Sequence, residues 1–435
     1  RYWRGWSSDV CYSDLIEYAI HLPEVIMNLL VHAFTLLSIG IGSTVVRADA
    51  ILVPPGGDIQ SAIDSLGDGD TVQLQAGTYL PTSTIRTNGK AITIVGVVDG
   101  QGRPLSVIDG QRNIQIIRCG AGDGPDTVFR NLEIRASDAN APGLLNIGAS
   151  PTIENCAFER CAPGMRNTQG SRPDVSGCRF FDNSNGGNGG GMHNIEGSAP
   201  NVTSCVFLEN LSGNAGGGIS NEGSSPTIRN SIFAENRAFT GGAGLHNEES
   251  DPFIEGCVFV RHAAGLDVGG VTNRNSAPTI VDCVFHQNDT PGVVNISSNP
   301  TITDCTFSEN FGPSTRGGGM ENWFSDPVVR NCVFVENRAD AFGGAVKNFR
   351  GAPEFIDCTF TGNTANYVGG AVFIELGSSS TFNDCTFRDN SAEEGGGLYL
   401  FESSPTLTNC TLSGNTATQS GGGVYSDASF LTLNG

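Results

Sequence analysis

Lysine is nearly missing from this chain of 435 residues: only Lys90 and Lys347 occur. Charged residues make up just 16%, and the formal net charge is −21. A nucleic-acid partner is therefore excluded, because phosphate binding needs a basic face. Simple attraction to anionic membranes fails for the same reason. No long amphipathic helical pattern recurs, which excludes a helical solenoid. None of the 13 cysteines forms a Cys-x-x-Cys pair, the closest being Cys156 and Cys161. Zinc-ribbon and dithiol redox motifs are thus absent. No Gly-Lys-Ser/Thr follows any glycine cluster, so these clusters are not phosphate loops.

What is abundant is glycine, 59 residues, and it is spaced. Cys156, Cys178, Cys205, Cys257, Cys283, Cys305, Cys332, Cys358, Cys385 and Cys410 recur about every 26 residues, with Ser231 filling the one gap. Two residues after each comes Phe, from Phe158 to Phe387, then Leu412. Five residues after each is usually Asn, as in Asn210 and Asn337. A Gly cluster and an apolar residue follow, then a second Asn series from Asn194 to Asn348. Pro closes the unit, as at Pro278 and Pro300. A propeller blade needs about 40 residues, so this period is too short for one.

Each unit holds three short apolar segments, for example Thr301–Thr303, Cys305–Phe307 and Gly319–Asn322. They are too short for helices and are separated by Gly, Asn and Pro. Cys305 and Phe307 share a face. Ile302 breaks that parity, which predicts a bend at Asp304. Three strands and three corners make one turn of a solenoid, and turns stacked about 4.8 Å apart pair every strand with its equivalents. The fold class is thus all-β, a right-handed parallel β-helix, expected as a monomer. Asn at bends tolerates left-handed backbone and can bond along the stack. One inward Cys per turn reads as a core ladder of free thiols, since parallel side chains keep Cβ atoms too far apart for disulfides.

The chain divides into four parts. Residues 1–26 read as non-native sequence, Ser7 to Leu15 resembling translated sequencing adapter. Residues 27–50 carry an apolar run ending in Ala48-Asp49-Ala50, which reads as a signal peptide and predicts export with no membrane span in the mature chain, the alternative being a single membrane anchor, since no Lys or Arg precedes the run within the segment. Residues 51–145 hold degenerate repeats and a predicted helix capped by Asp58 and stopped by Gly67, closing one end of the solenoid. Residues 146–435 are the regular repeats; they stop in mid-pattern, so more chain is expected beyond Gly435.

Gly69-Asp70-Thr71-Val72, Ala76-Gly77-Thr78-Tyr79 and Val107-Ile108-Asp109-Gly110 resemble the N-terminal coils of the pectate lyase-like β-helix superfamily. Phe207-Leu208-Glu209-Asn210 with Gly217-Gly218-Ile219 resembles the repeat of chlamydial-type polymorphic outer membrane proteins. So does Phe334-Val335-Glu336-Asn337 with Gly343-Gly344-Ala345-Val346. The resemblance implies an extracellular or outer-membrane surface location. It does not fix activity, because lyases, hydrolases, adhesins and passenger domains share the fold.

The candidate surface is the strand after the Gly cluster. Its outward residues run His193, Ser220, His246, Thr272, Val294, Glu321, Lys347, Phe373, Tyr399 and Tyr425. A companion column holds Glu222, Glu248, Trp323, Phe349, Glu375, Phe401 and Asp427. Trp323, Phe349, Phe373, Tyr399, Phe401 and Tyr425 read as an exposed aromatic strip suited to stacking on sugar rings. The alternative is cross-strand pairing under a covering loop. Glu321, Lys347 and Glu375 are the candidates for catalysis; the two carboxylates, two coils apart, would lie roughly 10 Å from each other. By resemblance, a pectate lyase would also need clustered Asp ligands for calcium, and no tight Asp pair is present. No cofactor is expected; Ca2+ is the one ion that the acidic surface would suit. The expected role is a recognition scaffold or adhesin for polysaccharide or cell-surface glycan. A polysaccharide lyase or hydrolase and a structural spacer are the alternatives.

Overall fold

A computed structural model describes residues 49–264 and 269–435. Segment 1–26 lies outside the described residues, and so does 27–50 apart from its last two positions. Ala50 begins the first strand, Ala50–Val53, which pairs with Thr71–Leu74.

The chain winds through three long parallel sheets. The first has 16 strands, from Ala50–Val53 to Thr432–Asn434. The second and third have 14 each, ending in Thr411–Ser413 and Val424–Asp427. Every strand pairs with its equivalent one turn on, Phe307 with Phe334 in the second sheet and Asn322 with Asn348 in the third. This is the predicted β-solenoid.

The repeat positions become interior columns. The ten rings from Phe158 to Phe387 stack with centroids 4.5–5.0 Å apart and planes within 9°. Burial of each contributes about 1.5–3 kcal/mol. Eleven of the twelve described cysteines are buried and all twelve are free thiols. Burial pushes the Cys161 thiol up to about 11. Ser231 takes a thiol's place in the column, accepting the amide of Cys205 at 3.1 Å.

The bend expected at Asp304 is present, with φ +57°. The left-handed residues at the next corner are not the ladder asparagines, however. They are the residues just before, such as Glu309 (φ +54°) and Glu336 (φ +55°). That turn directs Asn310 and Asn337 inward. Asn310 donates to the Phe285 carbonyl at 2.9 Å and to Asn337 Oδ1 at 3.0 Å. The second Asn column does the same from Asn146 to Asn348, with Nδ2 to Oδ1 distances of 2.7–2.8 Å. Unpaired amides would be costly there, and the columns pair them along the stack, leaving the Asn146 oxygen at the head of the second without a partner. A third polar column, not anticipated, joins Ser198, Ser224, Ser250, Ser276, Ser298 and Ser325 by amide-to-hydroxyl bonds of 2.9–3.1 Å.

The predicted helix spans Ile59–Ser65, and Asp58 caps it by accepting from the amides of Gln60 and Ser61. Ile59, Ala62 and Ile63 are buried against the first coil. The stop is set at Leu66 rather than Gly67, and Lys90 Nζ binds the carbonyls of Ile63, Asp64 and Leu66 at 2.7–3.0 Å. One of the two lysines is thus a C-terminal helix cap.

Between the second and third sheets the corner carries extra short strands. They form a four-stranded sheet over residues 184–264 and a five-stranded one over residues 311–420. The shorter coil through Asp289 and Pro291 lacks such a strand and separates the two.

Candidate functional site

The extra corner strands decide what the third sheet shows to solvent. In Met320–Trp323, Met320 and Asn322 point inward and Glu321 and Trp323 outward, by strand alternation. The corner segments fold back over the outward column, so that His193, Ser220, His246, Thr272 and Val294, expected to face solvent, are buried, as is the part of the column from Glu321 to Phe373. Glycine allows this: a Cβ on Gly318 would lie 2.3 Å from the Gly344 carbonyl, and one on Gly317 2.8 Å from the Lys347 amide nitrogen. Glu321 is consequently only 1% exposed, Lys347 4% and Phe373 5%. Three members of the expected strip are therefore covered. Trp323, Phe349, Glu375, Phe401, Tyr399 and Tyr425 remain partly exposed.

The candidate acid–base residues are engaged with one another. Arg316 Nη1 lies 3.1 Å from Glu321 Oε2. Lys347 Nζ lies 3.2 Å from Glu375 Oε1 and donates to the Thr315 carbonyl at 3.0 Å. It also sits 5.1 Å from the centre of the Trp323 ring and 5.4 Å from that of Phe342. Glu321 and Glu375 occupy different columns, the former covered and the latter on a partly exposed shelf formed by Trp323, Phe349, Glu375 and Phe401. They do not form an open pair flanking a cleft, which a glycosidase mechanism needs.

The partly exposed rings of both columns turn toward each other along the axis. Tyr399 and Tyr425 stack at 5.0 Å and 16°, and Trp323 and Phe349 lie 4.6 Å apart at 36°. Their faces cover one another, so the shelf offers mainly ring edges. Phe324, 52% exposed, and Arg350 add a cationic aromatic corner beside Phe349.

A more exposed ring, that of Tyr367, occurs one step outward on the corner segments. Ser314, Thr315, Asp340, Ala341, Phe342, Asn366 and Tyr367 line an open groove of about 690 Å³. Tyr367 is 56% exposed. Asp340 Oδ2 accepts the Ser314 amide at 3.2 Å, which fixes the carboxylate at the rim. Phe342 packs on Phe373, 5.1 Å between centroids, and so links groove and covered column. These residues escaped the repeat pattern because they lie where it is irregular. The available signal was an aromatic just before the Gly pair in two successive units, Phe342-Gly343-Gly344 and Tyr367-Val368-Gly369-Gly370.

The N-terminal half of the face is polar instead. His193 Nε2 lies 2.7 Å from Glu222 Oε1, and Asn188 donates to the same oxygen at 2.7 Å. The His193 hydrogen bond holds the Glu222 carboxyl down at about 2. Among the described residues no three His, Cys, Asp or Glu groups converge as metal ligands, and no helix is long and apolar enough to cross a membrane.

A solenoid of this kind, with a decorated corner on one side, defines a class of protein rather than an activity. Residues 113–275 and 241–379 match the family described as right handed beta helix region, together spanning more than half of the chain. The chain belongs to that family. Residues 409–427 also match the Chlamydia polymorphic membrane protein repeat. No curated protein sequence matches significantly. Among solved structures, the chain is similar to the catalytic domain of an alpha-1,3-glucanase in complex with nigerose, at 12% identity and TM-score 0.48, covering 91% of this chain and 70% of that one. It is also similar to a pectate lyase, at 15% identity and TM-score 0.29, covering 85% and 79%. A third likeness is to the Siphovirus 9NA tailspike receptor binding domain, at 10% identity and TM-score 0.36, covering 88% and 76%.

Proposed function

We propose that the protein is an exported, surface-displayed recognition scaffold that binds polysaccharide along its decorated corner without cutting it. The observation that carries this reading is the groove beside Tyr367. It combines an exposed aromatic ring with a carboxylate, an amide and hydroxyls on a rigid sheet corner. That combination suits a sugar, which presents an apolar C–H face and a rim of hydroxyls. The shelf of Trp323, Phe349, Glu375 and Phe401 extends the same face with ring edges and a second carboxylate. The engagement of Glu321 with Arg316 and of Glu375 with Lys347 favours binding over catalysis. The chlamydial-type repeat supports a place at the cell surface.

The test mixes the purified protein with a panel of polysaccharides and records both retention and new reducing or unsaturated ends. Retention without new ends is expected, weakened about tenfold by Tyr367→Ala, equal to roughly 1.4 kcal/mol. Trp323→Ala should weaken it less. Chain cleavage that disappears in Glu375→Gln or Lys347→Ala would overturn the reading and place a lyase or hydrolase on the shelf.

A further inference from the structure

We infer that the groove takes a neutral, hydroxyl-rich polysaccharide and rejects polyuronates; this rests on the recognition reading above and adds the charge class of its ligand. The groove lining contains one carboxylate, Asp340, and no Lys or Arg. The two cations lying beneath it are already held. Lys347 is buried against Glu375 and the Thr315 carbonyl. Arg316 faces Glu321. Arg338, at the start of the same corner, lies over the Phe311 ring and outside the lining. On the next coil, the amides of Glu393 and Glu394 bond to the Tyr367 carbonyl, which brings two more acidic residues alongside Tyr367.

A uronate carboxylate entering here would meet Asp340 with no cation to offset the repulsion. The chain's net charge of −21 would oppose its approach as well. Neutral sugars meet the opposite situation. Their hydroxyls donate to Asp340 in charge-assisted hydrogen bonds, and Asn366 can both donate and accept. The exposed Tyr367 ring offers an apolar surface to the C–H face of the sugar.

The experiment measures binding of the purified protein to neutral glucan, galactan and xylan, and to polygalacturonate and alginate. Each is run with calcium and with EDTA. Binding of at least one neutral polymer and of neither polyuronate is expected in both buffers. Asp340→Asn should weaken neutral binding about tenfold, and Asp340→Lys should admit a polyuronate. Wild-type binding of a polyuronate as tightly as any neutral polymer, in either buffer, would overturn this inference and leave the recognition reading standing. Binding to no polymer at all would overturn both.

Discussion

His262 illustrates how one side chain can carry a condition-dependent load. It stands where the other coils place the ladder asparagine, and its Nδ1 accepts the Asn236 amide at 3.1 Å. Its Nε2 is buried without a partner. Burial lowers its pKa from 6.5 to about 3. The unfolded chain therefore takes up a proton near pH 6.5 while the folded chain does not. Stability is full above that pH and is lost as pH falls from 6.5 toward 3. His262→Asn removes this load and restores the amide column. Its gain in urea-unfolding free energy should be larger at pH 5 than at pH 8 by roughly 2 kcal/mol. Equal gains at both pH values would show that the imidazole is not the titrating group.

At the scale of the element, the columns matter more than the strands that hold them. A strand such as Thr306–Ser308 has three residues and no stability of its own. Phe307 stacks between Phe285 and Phe334 at 4.7 and 4.5 Å, so its loss removes two ring contacts and opens a cavity. Phe307→Ala should cost about 3–5 kcal/mol in chemical denaturation. A cost near 1 kcal/mol would mean that the coils collapse into the gap. The corner strands obey a different rule. They vary in length, break at the coil through Asp289, and cover Glu321, Lys347 and Phe373 while exposing Tyr367. Regularity serves the interior and irregularity makes the surface.

For the whole molecule, the question is whether coils open one by one or together. Each coil touches only its neighbours, so stability is close to a sum of local terms and nearest-neighbour terms. The unbroken Phe column and the Cys and Asn columns, interrupted only at Ser231 and His262, strengthen the neighbour terms. The eleven buried thiols report on this directly. A thiol reagent should leave them unlabelled in native buffer. In rising denaturant they should react in one phase that coincides with loss of the far-UV signal. Separate labelling phases would show that groups of coils open independently.

The repeat of Cys, Phe, Asn and Gly was enough to define the solenoid, its three strands per turn and the bend at Asp304. Like residues at a fixed period stack into columns, and the columns absorb the exceptions Ser231 and His262. The helix at 59–65 was equally legible from Asp58 and its apolar spacing. The same logic placed Trp323, Phe349 and Glu375 on the outer face, because strand alternation is local. It could not place the corner that covers Glu321, Lys347 and Phe373. That covering depends on how far an irregular segment folds back, set by glycine-permitted close approach and the Lys347–Thr315 bond, both of which join residues far apart in sequence. Nor could it place the groove, since Asp340 and Tyr367 meet only after two coils have stacked. Periodicity fixed the interior because every coil repeats it; the exposed site arose from departures from the period, and only the assembled corner decides where those fall.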